Sequence, residues 1–351
     1  MGYCKRKKRH LMHRRDALKL GAAASAASVI GLDPFTTGAS ETPPAKGSGP
    51  GHVVQVHMPG MRGKHFPHAP AAKTMVEKAV TTLANESDLG RAWAKFIQKE
   101  DKVGIKINCL GGRMSSTMIE VVNPIVEGVR AAGVPDENII IFDQYGGNMR
   151  SARYLWQEKP GRLRVLNHPV LGYENNWTKV PGCKGKLSKA LTWSTAIVNV
   201  PVIKDHEIAG AGITCAIKNM VCGCVERPSL MHREIATALP HFYAREEIRS
   251  RVRLTLVDGS FCLYDGGPKH NHAAQATHDS VYASTDPVAI DTIALEVIET
   301  FRKENGYRSL DAVRRPATLL KTAQELGLGI TDRQKILLEK VELPVFVGAL
   351  V

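Results

Sequence analysis

The sequence predicts an α/β protein, a mostly parallel sheet flanked by helices. The first observation is a compact strand over 103–108 with polar residues at its exit, followed by an amphipathic helix over 117–132 and a fully apolar strand over 139–143. Strands that are apolar throughout are typical of parallel sheets buried on both faces. The second observation is that strand and helix patterns go on alternating to residue 326. The third is that polar residues follow several strands directly, where α/β sheets bind their ligands.

The elements before and within this unit follow from local spacing. Alternating valines predict a short strand within 51–58, and helical spacing predicts helices over 71–83 and 89–97. In the central unit, the helix over 117–132 carries five apolar residues on one face. Gly133 and Pro135 are expected to end it.

The C-terminal half continues the same alternation. Further apolar runs predict four strands, over 163–166, 195–203, 254–259 and 281–284. Asp286 is a predicted N-cap and Pro287 a predicted first residue for a helix from 288 to about 302. Two more segments have helical spacing, 309–313 and 316–326.

Length and composition exclude several classes of protein. The chain has 351 residues, 43% apolar and 23% charged, which is ordinary for a globular protein with a sizeable core. No apolar run reaches the roughly 18 residues that a membrane span needs, so we expect no stable span. Residues 51–351 carry 38 basic and 31 acidic groups. This mild excess suits a small anionic ligand, and no nucleic-acid recognition motif accompanies it.

Residues 1–40 have the pattern of an export signal. A basic segment and the pair Arg14-Arg15 precede a weakly polar, Ala- and Gly-rich stretch over 20–32. This order resembles a twin-arginine signal peptide, whereas a basic tail that binds nucleic acid would not explain the Ala-rich stretch. We therefore expect the twin-arginine translocon as a partner during export. A linker over 41–50 would then lead to an α/β domain over 51–351, located in the periplasm or otherwise outside the cytoplasm.

Cysteine use leaves two alternatives open. Six cysteines follow the predicted signal: Cys109, Cys183, Cys215, Cys222, Cys224 and Cys262. In an oxidising compartment an even number is compatible with disulfides. Because the twin-arginine route exports proteins that are already folded, a metal loaded in the cytoplasm is the second alternative.

The densest set of chemically useful side chains lies within 203–232, directly after a predicted strand. Glycines in this segment allow a close approach of the backbone to a ligand, lysines and asparagine hold anions, and histidines and cysteines bind soft metals. The set comprises Lys204, His206, Cys215, Lys218, Asn219, Cys222, Cys224 and His232.

Two weaker candidates for metal sites lie outside this segment. One is a loop that contains His270 and His272, with His278 further on. The other is a His/Met mixture over 52–68 that would suit copper. The chain lacks a Walker loop, a Rossmann glycine fingerprint, a nucleophile elbow and an HExxH motif, which argues against common nucleotide enzymes, serine hydrolases and zincins.

Several short motifs together resemble the DUF362 family of uncharacterised α/β proteins. They occur in the family's order over 102–291: Lys102–Asn108, Asn199–His206, Ala216–Asn219, His232, Val257–Gly259, Gly266–Pro268 and Ser284–Asp291. The resemblance implies an α/β fold and a site built from Lys106, Asn108, Lys204, His206, Lys218, Asn219, His232 and Asp258. Many relatives carry an added ferredoxin-like iron–sulfur module, but this chain has no matching cysteine run. The extra Cys222 beside Gly223 also departs from the glycine pattern that usually follows the Lys-Asn pair in the family.

We therefore expect a cofactor- or metal-dependent enzyme, with an oxidoreductase among the options, that acts on a small anionic substrate. Lys204, His206, Lys218 and His232 are the predicted catalytic residues. Lys106, Asn108, Asn219 and Asp258 are the predicted substrate-binding residues. A transition metal or an iron–sulfur centre would be held among Cys215, Cys222, Cys224, His206 and His232. The alternatives are a periplasmic protein that binds a metal or ligand without turnover, and a purely structural role for these side chains.

Overall fold

One large mixed β-sheet organises the fold in a computed structural model, which describes residues 49–159 and 161–348. The predicted export signal and most of the linker lie outside the described residues. The strands are β1 (His52–His57), β2 (Val103–Ile107), β3 (Ile139–Asp143), β4 (Arg164–Asn167), β5 (Thr178–Val180), β6 (Cys183–Gly185), β7 (Ala196–Val200), β8 (Val202–Asp205), β9 (Ile213–Thr214), β10 (Val252–Leu263), β11 (Gln275–Ser284) and β12 (Leu337–Glu342).

Helices connect most of these strands. They are α1 (Ala69–Ala84), α2 (Leu89–Ala94), α3 (Ile119–Ala131), α4 (Gly146–Ser151), α5 (His168–Leu171), α6 (Lys189–Trp193), α7 (Ala216–Cys224), α8 (Ile235–Tyr243), α9 (Glu246–Arg249), α10 (Pro287–Glu304) and α11 (Leu319–Glu325). As predicted, Asp286 caps α10 by accepting the N–H groups of Val288 at 2.9 Å and Ala289 at 2.8 Å.

The sheet order is β12-β1-β11-β10-β7-β2-β3-β4, and β8 and β9 extend from β10. Six pairs are parallel, including β2 with both β3 and β7. The pairs β1–β11, β10–β11 and β8–β9 are antiparallel. The prediction of a mostly parallel sheet flanked by helices is thereby confirmed.

The two faces of the sheet are covered by different helices. Ile105 in β2 and Ile141 in β3 belong to a core that also contains α1 and α3. Phe142, the next residue of β3, belongs to a second core that contains α7, α8 and α11. Because side chains alternate along a strand, Lys106 points to the same side as α7.

Two local predictions are corrected, and an edge strand was missed. The single strand expected over 195–203 is two strands, β7 and β8, because Pro201 between them has no N–H group to continue the ladder. The helical segment expected over 309–313 forms turns. The parallel edge strand β12 was not predicted; four of its six residues are exposed, including three charged ones, so its apolar signal is weak.

Within the described residues, no helix combines the length and the apolar character that crossing a bilayer requires.

Candidate active site

The predicted site residues converge where parallel strands β2 and β3 end and helix α7 packs against them. Lys106 is the fourth residue of β2, and Asp143 is the last residue of β3. Lys218 and Asn219 lie in the first turn of α7. Carboxyl ends of parallel strands share one edge of the sheet, which explains why residues so distant in the chain meet there.

A buried ion pair forms the floor of the site. The Nζ of Lys106 lies 2.8 Å from Oδ1 of Asp143, and the lysine side chain is 1% exposed. Asp143 also accepts the backbone N–H of Cys109 at 2.6 Å. Burial alone would raise the pKa of Asp143, but the charge and hydrogen bond of Lys106 hold it below its ordinary value. This carboxylate is therefore ionised and neutralises Lys106.

Asparagine side chains extend this pair into a buried network. Oδ1 of Asn219 accepts from Nζ of Lys106 at 3.1 Å and from Nδ2 of Asn108 at 3.2 Å. Nδ2 of Asn219 donates to Oδ1 of Asn199 at 2.8 Å. These bonds tie α7 to strands β2 and β7, so the network places the residues of α7 relative to the sheet.

Lys204, at the end of β8, has a different environment from Lys106. Its side chain is completely buried, and its Nζ donates to Oδ1 of Asn108 at 3.0 Å and to the carbonyl oxygen of Leu110. Both acceptors are uncharged. Burial lowers the pKa of Lys204 to about 7, and the charge of Lys218 acts in the same direction. This lysine is therefore much easier to deprotonate than an exposed lysine.

Of the three lysines Lys106, Lys204 and Lys218, the last has no partner among the residues that the structure describes. It is 6% exposed, yet its ammonium group makes no hydrogen bond or ion pair with any residue that the structure describes. Its charge acts on His206, His232 and Lys204. Its Nζ is not among the fully enclosed unpaired atoms of the described residues, so it reaches solvent and a ligand can supply the missing negative charge.

Two histidines stand beside Lys218. The rings of His206 and His232 are 6.3 Å apart, with His206 2% exposed and His232 exposed. Burial, then the charges of Lys218 and His232, lowers the pKa of His206 to about 2. Nδ1 of this neutral ring lies 3.1 Å from the N–H of Ile208, which it accepts, so Nε2 carries the proton and is a donor.

Thr214 completes the set, although sequence reasoning missed it. It lies directly opposite Lys204 in the β8–β9 ladder, so both side chains are on the same face. Thr214 is 3% exposed, and its hydroxyl has no hydrogen-bond partner among the described residues. A lone threonine carries no sequence signal; only the strand pairing reveals its position.

The first turn of α7 is fixed by a carboxylate from α10. Asp291 is buried and accepts the N–H groups of Ala216 at 2.5 Å and Ile217 at 3.1 Å. Burial raises the pKa of Asp291 to about 7, although these hydrogen bonds oppose the rise. Because this carboxylate already accepts the N–H groups at the start of α7, an anionic ligand here would have to be bound by side chains.

The four residues predicted to bind substrate pair with the protein itself. Both carboxylate oxygens of Asp258 accept backbone N–H groups, from Met118 at 2.7 Å and Ser260 at 3.0 Å, which holds the start of α3 to β10. Lys106, Asn108 and Asn219 hold one another in the network described above. Their substrate contacts stay predictions, and the geometry gives them a positioning role.

The five residues predicted to bind metal do not form one ligand set. In the described part of the chain, no group of three or more His, Cys, Asp or Glu side chains is arranged to hold a metal ion. Cys215 is buried beside Asp291, Cys224 is buried in the core of α7 and α8, and Cys222 is partly exposed. All six cysteines after the predicted signal are free thiols, so the disulfide alternative has no support here.

Several of the weaker histidine candidates contact other groups of the protein. His270 lies 2.7 Å from the hydroxyl of Ser115, whereas His278 lies 2.7 Å from the hydroxyl of Tyr282. In the N-terminal His/Met group, His52 pairs with Glu339 at 3.0 Å, and the methionines at 58 and 61 are buried in the apolar core. The rings of His270 and His272 are 6.2 Å apart, but in the described part of the chain no third His, Cys, Asp or Glu joins them in an arrangement that could hold a metal ion.

Comparison with known proteins places the chain in a family. No protein with a curated description matches it in sequence. Among solved structures, it is similar to the lactate racemase apoprotein from Thermoanaerobacterium thermosaccharolyticum, with a TM-score of 0.30 and 12% identity. That match covers 66% of this chain and spans 53% of the racemase chain. The model of the family described as "Domain of unknown function (DUF362)" matches residues 103–296, which is more than half of the chain. The protein therefore belongs to the DUF362 family.

Proposed function

We propose that this protein is an enzyme that binds a small anionic substrate on Lys218 and uses Lys204 in acid–base chemistry beside it. The observation that carries the proposal is Lys218, a residue that is 6% exposed and whose solvent-accessible ammonium has no counter-ion among the described residues. The Nε2–H of His206 and the hydroxyl of Thr214 are further donors that have no partner among the described residues. Because Lys218 supplies one uncompensated positive charge, a carboxylate matches it better than a doubly charged phosphate.

Lys204 suits proton transfer for reasons of environment. Its Nζ has uncharged acceptors only, and its pKa of about 7 allows both protonation states at neutral pH. A general acid or base works best when its pKa is near the operating pH. Hydrogen bonds among Lys106, Asn108 and Asn219 fix the position of Lys204 relative to helix α7.

Ligand binding to the purified chain tests the anion site. Isothermal titration calorimetry with acetate, pyruvate, lactate and inorganic phosphate should show binding of the carboxylates. Lys218→Met should weaken that binding about tenfold or more, about 1.4 kcal/mol. Lys321→Met, which removes a lysine whose side chain is 83% exposed, is the matched control and should leave binding unchanged. If the wild-type chain binds none of these anions, the proposal fails.

A binding protein without turnover is the second candidate, and the complete burial of Lys204 favours it. The two candidates differ in what happens to a bound ligand. In D₂O, an enzyme with a base at Lys204 should exchange a carbon-bound proton next to the carboxylate for deuterium, which proton NMR detects. Binding without exchange or other conversion would favour the second candidate.

The metal- or cofactor-dependent form of the sequence prediction has its own test. Elemental analysis and a visible absorption spectrum of the purified protein would detect stoichiometric metal or a coloured cofactor. Stoichiometric metal would direct mutagenesis to Cys215, Cys222 and Cys224, together with the two histidines beside Lys218.

We also propose that the protein is exported by the twin-arginine pathway, on the sequence pattern of residues 1–40. Replacing Arg14 and Arg15 together by lysine should leave the protein in the cytoplasm, because that pathway reads the arginine pair. Cell fractionation with immunoblotting measures the distribution. Equal export of the wild-type and double-lysine chains would refute the proposal.

A further inference from the structure

The two buried lysines of the site differ in their partners. Lys106 is neutralised by Asp143 at 2.8 Å. Lys204 has no carboxylate within ion-pair distance among the described residues, and it donates to one amide oxygen and one backbone carbonyl oxygen. A neutral amine has two N–H bonds, which these two acceptors satisfy, and one lone pair that is free to act. The arrangement therefore fits Lys204 as an amine and Lys106 as an ammonium.

The surroundings of Lys204 favour nucleophilic attack. Its neighbour Lys218 is a cation, and a lysine that is desolvated beside another cation is the environment in which lysine amines become nucleophiles. On the same face, the unpartnered hydroxyl of Thr214 stands across the ladder from Lys204. A hydroxyl in that position can donate to an oxygen atom of a molecule bound at the amine and can relay its proton.

We propose that Lys204 forms an imine with the carbonyl carbon of a small 2-oxo acid whose carboxylate lies on Lys218. This inference rests on the proposed function, because it uses the same anion site. A 2-oxo acid has its carboxylate and its carbonyl group on adjacent carbons, which suits two neighbouring lysines of unlike charge. The enclosure of the site restricts the substrate to a small molecule, since Lys204, His206 and Thr214 are each 3% exposed or less.

The chemical step balances without an external reagent. The lone pair of Nζ forms a bond to the carbonyl carbon, and the electron pair of the C=O double bond moves to oxygen. Thr214 donates a proton to that oxygen and regains one from the nitrogen, which gives a carbinolamine. Loss of water then forms the C=N bond. One hydrogen of the departing water came from Thr214, which the nitrogen reprotonated, and the other comes from the nitrogen itself, so the net loss is the two amine hydrogens. Hydrolysis by water reverses each step and regenerates the free lysine.

Entry to Lys204 requires displacement of the segment that follows β2. The carbonyl of Leu110 accepts from Lys204, and Leu110 itself is 39% exposed. The next two residues are Gly111, with φ of +121°, and Gly112, with φ of +65°. Glycines at successive positive-φ positions allow the backbone to change direction at little steric cost. A substrate oxygen can then replace the carbonyl of Leu110 as the acceptor for the amine.

Borohydride trapping tests this proposal directly. The purified chain is incubated with pyruvate, 2-oxobutyrate or 2-oxoglutarate, then reduced with sodium borohydride, which converts an imine into a stable secondary amine. Peptide mass spectrometry should locate one reduced adduct on Lys204. Lactate, which has the same carboxylate but no carbonyl group, should bind and give no adduct. Adducts spread over exposed lysines, or located on another single lysine, would overturn the assignment.

Variants separate this proposal from the proposed function. Lys204→Arg should bind the 2-oxo acid and form no adduct, with folding checked by circular dichroism. Thr214→Val should still trap the adduct on Lys204, but about a hundredfold more slowly. Lys218→Met should lower the adduct yield about tenfold at a fixed concentration of pyruvate, which converts to about 1.4 kcal/mol. Binding of 2-oxo acids with no adduct on wild-type Lys204 would overturn the imine and leave the anion site intact. The absence of binding of any acid would overturn both.

Discussion

The side chain of Lys106 fits against the bare backbone of Gly223 in helix α7. A Cβ atom built at Gly223 would overlap both Cε and Nζ of this lysine. Glycine inside a helix costs about 1 kcal/mol relative to alanine, so its use here needs a reason. The reason is that Lys106 must lie under α7 to reach Asp143 and Asn219. Although Cys222 departs from the glycine pattern that usually follows the Lys-Asn pair in the family, Gly223 itself is required for the packing of Lys106.

Gly223→Ala should destabilise the protein despite the better helix propensity of alanine. The methyl group displaces Lys106 from Asp143, and we expect a net loss of about 1–3 kcal/mol, the usual cost of overpacking a core. Urea unfolding followed by circular dichroism measures it. Gly147→Ala in α4 is the matched control, because a Cβ there meets no atom within 4 Å, and it should be neutral or stabilising. Equal effects of the two substitutions would show that Gly223 has no packing role.

Asp143→Asn should be among the most damaging isosteric changes in the chain. It leaves the ammonium of Lys106, 1% exposed, without its counter-ion, and the expected cost is about 3–5 kcal/mol. The control is Asp136→Asn, which breaks a surface ion pair with Arg130 at a similar distance, 2.7 Å, and should cost about 1 kcal/mol or less. Urea unfolding compares the two. Similar losses would mean that the Lys106–Asp143 pair is solvated in solution.

Lys218→Met should leave the stability of the ligand-free protein nearly unchanged while it weakens anion binding. Methionine keeps most of the packing of the lysine stem and removes only a charge that has no partner among the described residues, so we expect a change within about 0.5 kcal/mol. Thermal unfolding with and without added acetate measures both effects. Acetate should raise the melting temperature of the wild-type chain but not of the variant. A less stable variant would indicate that Lys218 supports the fold rather than a ligand.

The sequence was sufficient for the elements that carry a strong local signal. The fully apolar strand over 139–143 and the amphipathic helix that precedes it predicted parallel pairing of β2 with β3, and the structure has it. Polar residues at strand ends predicted where the site lies, because the topology of a parallel sheet brings those ends to one edge. Asn108 and Lys204 stand at such strand ends. Lys218 was instead predicted from the dense segment over 203–232, and Lys106 was implied by the resemblance to the family.

The sequence was insufficient where function depends on pairing between distant segments. Thr214 enters the site only because β9 pairs with β8 in a register that sets it opposite Lys204. Asp291 caps α7 from a helix 75 residues further along the chain. The predicted roles of Asn108 and Asp258 as substrate contacts missed how completely their polar atoms are used by the protein. Residue type and spacing contain no information about which hydrogen bonds are already satisfied.

The buried carboxylate of Asp291 should make stability depend on pH near neutrality. Burial raises its pKa to about 7 in the folded protein, whereas an exposed aspartate in the unfolded chain has a pKa of about 3.9. Between these values the folded state binds more protons than the unfolded state. The free energy of unfolding contributed by this group is therefore highest at low pH, and it falls as pH rises through the folded pKa.

Comparison of the wild-type chain with Asp291→Asn isolates this effect, because asparagine does not titrate. The variant loses one of the two acceptors that cap α7, so we expect it to be less stable than the wild type by about 1–2 kcal/mol at about pH 5. This difference in the free energy of unfolding should decrease between about pH 5 and pH 8, because only the wild-type chain is destabilised by ionisation of a buried carboxylate. Asp136→Asn is the control, because hydrogen bonding and charge from Arg130 lower the pKa of Asp136. The difference in stability between the wild-type chain and this variant should therefore stay constant over this range. Urea unfolding at four pH values measures both differences, and a difference for Asp291→Asn that stays constant or increases would show that the carboxylate is ionised throughout.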